Sequence, residues 1–228
     1  MSARFCLLVV AKAPVPGFAK TRLCPPATPE QAAEIAAAAL LDTLDAVSAT
    51  RGAVPVVAMT GDLGAATRGA EIGHALRGTT VIAQRGWDFG ARLANAHADT
   101  AAMHAGLPVL QIGMDTPQVT PDLLAAAIKP VLDGTHEAVL GGAEDGGWWA
   151  LGLRDPRRSE VLVDVPMSQD NTGELTRRAL TSTGPEPGTL AVLSDVDTMA
   201  DAERVAAARP GSRFARAVGA VAGRVAVR

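Results

Sequence analysis

Four stretches of this sequence combine residue types that handle phosphate, metal or hydroxyl chemistry. The first is AKAPVPGFAKTRL, Ala11 to Leu23, where Lys12, Lys20 and Arg22 surround Pro14, Pro16 and Gly17. The chain has only three lysines, and two of them stand here. Its other basic residues are nearly all arginine, so a retained lysine points to a site that suits a compact ammonium better than a guanidinium fork. Proline and glycine shape a loop whose amides can face an anion, so the stretch reads as a phosphate or pyrophosphate site, with an exposed basic loop as the bland alternative. It is not a Walker A loop, because Pro14 and Ala19 occupy positions where GxxxxGK[ST] requires glycine.

The second stretch is IGMDTP, with Asp115 at the end of an apolar run, placed to hold a divalent cation against phosphates or simply to make a turn. In the third, LSDVDTMADAERV, Asp195 and Asp197 alternate, so an extended backbone puts both on one face to share an ion. The competing reading is that Asp197 or Thr198 caps the next helix. The fourth is AEDGGWWALGL, where Asp145 precedes Gly146, Gly147 and Trp148. Asp145 can orient or deprotonate an acceptor hydroxyl, the glycines allow close backbone approach, and the tryptophans either pack or line an acceptor pocket.

These residues need elements to position them. Apolar runs at Phe5–Val10, Val54–Met59, Thr80–Ala83, Val109–Gly113 and Ala138–Leu140 read as strands. Helical patterns lie between them, at Pro29–Val47 behind Thr28, Phe89–Ala105 and Thr120–Leu132. The alternation predicts an α/β class, a three-layer α/β/α sandwich around a mainly parallel Rossmann-like sheet. After Leu140 the rhythm changes: Trp148–Leu153 reads as a strand where a helix is due, an antiparallel insertion. A short helix at Thr172–Thr181, a strand at Thr189–Leu193 and a helix at Asp201–Ala208 follow. Ligands in such sheets sit at the carboxyl ends of strands, where all four stretches fall.

A length of 228 residues, 48% hydrophobic, fits one domain over residues 1–208, with a basic tail at 209–228 that carries five arginines and no acid and is expected to fray or lie on the surface. The net charge of −3 favours neither nucleic acid nor an anionic membrane, so any anion site is built locally. The opening apolar run is too short for stable membrane insertion or a signal core, which suggests a cytoplasmic protein. Cys6 and Cys24 have no metal spacing and read as structural. The absence of HExxH and GxSxG disfavours zinc protease and serine hydrolase chemistry, and the four histidines suggest no catalytic role.

Taken in order, AKAPVPGFAKTRL, QRGWDFGARLANA, IGMDTP, AVLGGAEDGGWWALGL and DVDTMADAERV resemble a bacterial glycosyltransferase-like family, sometimes linked to arsenosugar biosynthesis, with the nucleotide-diphospho-sugar transferase fold called GT-A. The resemblance spans Phe5 to Val205. A more distant likeness runs to the phospholactate or phosphoenolpyruvate guanylyltransferases of coenzyme F420 synthesis and to molybdenum cofactor guanylyltransferase. It implies that Ala11, Lys12, Pro14, Gly17, Lys20 and Arg22 contact nucleotide phosphates, with Gln84, Asp88, Gly90 and Arg92 as part of the nucleotide wall. It also implies that Asp115, Asp195 and Asp197 hold Mg²⁺ or Mn²⁺; beside it, Asp115 and Asp145 are the expected catalytic residues, with Gly146, Gly147 and Trp148 expected to face the acceptor. The substrates implied are a nucleotide sugar, or alternatively an NTP, plus a small-molecule acceptor; a homodimer is among the expectations, and a non-catalytic nucleotide-binding protein is a third reading. Two departures stand out: Trp148-Trp149 replaces the usual Tyr-Tyr, and Met167-Ser168-Gln169 replaces Trp-Ser-Thr.

Overall fold

The computed structural model describes residues 4–225, and the ends of the chain, 1–3 and 226–228, lie outside the described residues. Seven strands form one sheet: β1 Phe5–Lys12, β2 Ala53–Thr60, β3 Thr80–Ala83, β4 Val109–Gly113, β5 Ala138–Ala143, β6 Trp148–Leu153 and β7 Gly188–Leu193. Their spatial order is β3-β2-β1-β4-β6-β5-β7. All neighbouring pairs are parallel except those of β6, which runs antiparallel to β4 and β5. The inserted strand expected from the broken rhythm is therefore present. It lies inside the sheet, with Ala150 paired to both Ile112 and Gly141.

The central strand shows why the sheet needs covering on both faces. Phe5, Leu7, Val9 and Ala11 of β1 pack into one core, with α1 (Pro29–Ala49), α2 (Gly69–Ala75) and α4 (Pro121–Leu132). Cys6, Leu8 and Val10 pack into the other, with α3 (Phe89–Met103), α5 (Thr172–Ser182) and the 3-10 segment Pro156–Asp164. Period-two alternation with both faces apolar is the signature of a buried strand between two helical layers. Burial pushes the Cys6 thiol up to about 11, so it behaves as a small apolar side chain.

Helix starts follow their caps. The Thr28 side chain accepts from the Gln31 amide while the Gln31 side chain accepts from the Thr28 amide, a closed capping box that begins α1. Thr120 accepts from Leu123 N at the start of α4. A third apolar cluster joins the outer side of α1 to α6 (Met199–Ala208) and α7 (Arg213–Val225). Arg213–Val225 of the basic tail is thus a helix, with Phe214, Val218 and Val221 buried. None of the described helices is long and apolar enough to cross a membrane.

Candidate nucleotide and metal site

Lys20 lies where the segments that follow β1, β4 and β7 meet. Its backbone is left-handed, φ 50° and ψ 42°, which turns its side chain back across the sheet edge. The ammonium lies 3.0 Å from Asp115 Oδ2 and 3.5 Å from Asp197 Oδ1, and donates to the Val196 carbonyl. Its side chain is 11% exposed. Burial alone lowers such a pKa, but the Asp115 charge and hydrogen bond, with Asp197 and Asp195 behind them, more than reverse this and hold the ammonium above its ordinary value. Three acceptors converging on one buried point suit an ammonium rather than a planar guanidinium, a reason for lysine in an arginine-rich chain.

Around this hub the basic bend is ordered by its own contacts. Lys12 Nζ donates to Phe18 O at 2.8 Å, and the amides of Val15, Phe18 and Ala19 are bonded within the bend. Pro14 accepts from Thr67 N at 3.0 Å, and Gly17 takes φ +79° with open space where a Cβ would be. Arg22, largely exposed, reaches Asp197 Oδ2 at 2.9 Å.

The acidic stretches converge on the same edge. Asp145, Asp195 and Asp197 bring carboxylate oxygens within 4.8 Å of one another. Burial first, then the charges of Asp145 and Asp197, push the Asp195 carboxyl up to about 6, with Lys20 opposing and Asp115 adding to the rise. Hard oxygen donors under mutual repulsion are the donor chemistry a divalent cation such as Mg²⁺ or Mn²⁺ relieves, so this trio fits one. Its membership differs from the sequence expectation in one place: Asp145 joins Asp195 and Asp197, whereas Asp115 stands beside them on Lys20.

The glycines after Asp145 hold it in place. Asp145 Oδ1 accepts from Gly147 N at 2.8 Å, Gly173 N donates to Gly146 O at 2.8 Å, and a Cβ on Gly146 would lie 1.7 Å from Asp170 O. The two glycines are thus packed on the Asp170–Gly173 turn, and Trp148 donates from its indole to Thr176 Oγ1 at 3.1 Å. Trp149 is core, whereas Trp148 forms one wall of a cavity of about 530 Å³ that also touches Arg22, Asp145, Gly147, Asp195 and Asp197.

The remaining sequence-predicted residues lie at the edge of β1, β2 and α3, each with a structural partner except one. Gln84 donates to Ala11 O at 2.8 Å and Ala58 O at 2.9 Å, tying β1 to β2. Asp88 caps α3 through Ala91 N, and Gly90 lets Leu162 O approach, where a Cβ would lie 2.2 Å away. The Arg92 side chain has no ion pair among the described residues. Sequence reasoning gave no site role to Gln111, His97, Phe89, Asp170 or Thr172, whereas it had marked Met167-Ser168-Gln169 as a departure from the family pattern; all of these except His97 line the cavity. For Gln111 the legible signal was a glutamine inside the apolar strand VLQIG.

Residues 43–169, more than half of the chain, match the profile of a family described as uncharacterized protein conserved in bacteria (DUF2064). No curated protein matches the chain. Among solved structures, a protein from Desulfovibrio desulfuricans G20, provisionally named a nucleotide-diphospho-sugar transferase, is 25% identical over 97% of this chain and 95% of its own, with a TM-score of 0.80. CMP:2-keto-3-deoxy-manno-octonic acid synthetase complexed with CTP is 12% identical over 89% of this chain and 97% of its own, with a TM-score of 0.55. Glucosyl-3-phosphoglycerate synthase from Mycobacterium tuberculosis, in complex with Mn²⁺, UDP and glucosyl-3-phosphoglycerate, is 14% identical over 84% of this chain and 71% of its own, with a TM-score of 0.51. The last two share the fold, which is the GT-A-like fold expected from the sequence.

Proposed function

We propose, for a chain that belongs to the DUF2064 family and has a GT-A-like fold, that it is a transferase using a nucleotide-activated donor, a nucleotide sugar, to modify a small hydroxyl-bearing acceptor. One observation carries this reading. A largely covered lysine, an arginine and four aspartates from distant parts of the chain meet at the carboxyl edge of the sheet, beside a cavity large enough for a sugar-sized molecule.

In this reading Lys12, Lys20 and Arg22 face the donor's phosphates and offset the charge that builds as the nucleoside diphosphate departs. Asp115 fixes the Lys20 ammonium by their 3.0 Å ion pair. Asp145, Asp195 and Asp197 would hold the divalent cation, which when bound supplies Lewis-acid neutralisation of the pyrophosphate. Asp145, pinned by the Gly147 amide, also faces the cavity, where a carboxylate can orient or deprotonate the acceptor hydroxyl. Ala11 and Gln84 hold β1 against β2 beneath the donor, and Trp148 bounds the acceptor side.

Thermal-shift screening of nucleotide sugars and NTPs with and without Mn²⁺ identifies the donor, since a ligand at 100 times its Kd stabilises the fold by about 2.7 kcal/mol. For the nucleotide sugar found, calorimetry should show Lys20→Ala and Asp195→Asn each weakening binding in Mn²⁺ at least tenfold, about 1.4 kcal/mol. A wild-type protein stabilised by none of these nucleotides, or variants that bind with undiminished affinity, would overturn the reading. Release of pyrophosphate from an NTP in the presence of acceptor, without use of any nucleotide sugar, would replace it with nucleotidyl transfer.

A further inference from the structure

The cavity beside the acidic trio has a buried end that the charged chemistry does not explain. Its lining there is apolar, with Val10 of β1, Leu93 of α3 and Trp148 of β6, and one polar side chain stands among them, Gln111 in the middle of β4. Gln111 is only 3% exposed, and its neighbours across the sheet are Leu8 and Leu151. An amide in such a place costs stability unless its groups are used.

Half of it is used. Gln111 Oε1 lies 2.9 Å from Nε2 of His97, a fully buried residue of α3. A carbonyl oxygen only accepts, so His97 Nε2 carries the proton and Nδ1 is bare; Nδ1 has no partner. Flipping the amide would put the imidazole proton on that unpartnered Nδ1, and an orphaned buried N–H is rarer and more costly than an orphaned acceptor. Burial, opposed in part by the Gln111 hydrogen bond, lowers the imidazole pKa to about 4, so the ring stays neutral near pH 7. With its oxygen held, Gln111 has an amide nitrogen that finds no acceptor among the described residues, on a side chain that lines the cavity.

Charge narrows the occupant. Four carboxyls, Asp145, Asp170, Asp195 and Asp197, line the cavity against one guanidinium, Arg22. With the basic residues and the trio's cation engaged by the donor's phosphates, the buried end formed by Val10, Leu93, Trp148 and Gln111 offers no cation to pair a second anion, and an unpaired charge there is costly. We propose that the buried end is the acceptor site for an uncharged, hydroxyl-bearing molecule with an apolar face, one of whose oxygens accepts from the Gln111 amide, with His97 as the positioning residue. This rests on the reading of the protein as a transferase to a small acceptor.

The test is nuclear magnetic resonance on the full chain, with phenyl β-D-glucoside as the neutral probe and glucose 6-phosphate as the anionic one. The Gln111 side-chain amide signals are assigned by their loss in Gln111→Met. Phenyl β-D-glucoside should shift them and glucose 6-phosphate should not, and Gln111→Met should bind the neutral probe at least ~5-fold more weakly. His97→Phe, which removes the donor, should weaken the probe similarly, while His97→Gln, which keeps a donor at the same reach, should restore it. Labelled histidine in the wild type reports the tautomer without any substitution, with the proton expected on Nε2. A proton on Nδ1, an unmoved Gln111 signal, or equal response to the phosphate would overturn the proposal. The readout needs no nucleotide, metal or turnover. A Gln111 response in a protein that binds no nucleotide would therefore remove the transferase reading and leave the ligand class standing, whereas nucleotide binding with an indifferent Gln111 would do the reverse.

Discussion

His97 contributes a pH dependence of its own, because it is buried neutral. Its folded pKa of about 4 lies below the ordinary value of 6.5. Between those values the unfolded chain binds a proton that the folded chain refuses, so stability falls as pH falls through the window, while above pH 6.5 the group contributes no slope. At pH 5 the deficit is about 2 kcal/mol, from 1.36 kcal/mol per pH unit over about 1.5 units. Carboxylates also titrate there, so the measurement is a difference. Urea unfolding of wild type and His97→Gln at pH 7 and pH 5 should show the wild type losing about 2 kcal/mol more than the variant. Equal losses would mean that the imidazole is not buried neutral.

At the scale of elements, the turn after β5 is the piece whose geometry tolerates least. Gly146 takes φ +85°, and its missing Cβ leaves room for Asp170 O, 1.7 Å from where a methyl would sit. Gly146→Ala meets both penalties at once, left-handed backbone and a backbone clash that no rotamer relieves, so the turn must part from Asp170–Gly173. We expect a loss of about 2 kcal/mol or more in stability together with weaker Mn²⁺ binding, since Asp145 is held by the adjacent Gly147 amide. Gly17→Ala is the control: its φ is similarly positive but nothing lies within 4 Å, so it should cost strain alone, about 1 kcal/mol.

This turn also illustrates how legible the elements were. DGG before WW marked a special backbone and a change from helix to strand, and both are present; the carbonyl against which the glycine packs comes from a loop 24 residues later, which spacing cannot reveal. Strands were readable because alternating or continuous apolar runs have few other uses. Gly69–Ala75 was not, because it buries one large side chain, Ile72, and opens on a glycine. Gln84, Asp88 and Gly90 were expected from the resemblance alone to belong to the nucleotide wall; the contacts they make here tie strands, cap a helix and admit a carbonyl, which no spacing in the sequence states. The pair His97–Gln111 was hidden because its members belong to a helix and a strand that meet only in the folded chain.

For the whole molecule, stability and site are joined through the third apolar cluster. Phe214 of α7, 1% exposed, packs there with Ile35 of α1, and the same cluster contains Leu23 and Val196. Leu23 follows Arg22 in the basic bend, and Val196 separates Asp195 from Asp197 and supplies the carbonyl that Lys20 grips. The helix is fastened at its start by Asp42 of α1, which accepts from Phe214 N at 2.9 Å and pairs with Arg213 at 3.2 Å. Removing the ring by Phe214→Ala should cost about 3–5 kcal/mol, from lost burial and the cavity left behind. It should also loosen the backing of Leu23 and Val196, so Mn²⁺ affinity should fall well below the temperature of unfolding. Ile128→Ala is the comparison, a fully buried residue of α4 in the core on the opposite side of α1, with an expected cost of about 2–5 kcal/mol. If both variants lose stability and only Phe214→Ala loses metal affinity, the tail helix is a buttress of the site; equal affinity in the two variants would reduce it to a contributor to stability alone.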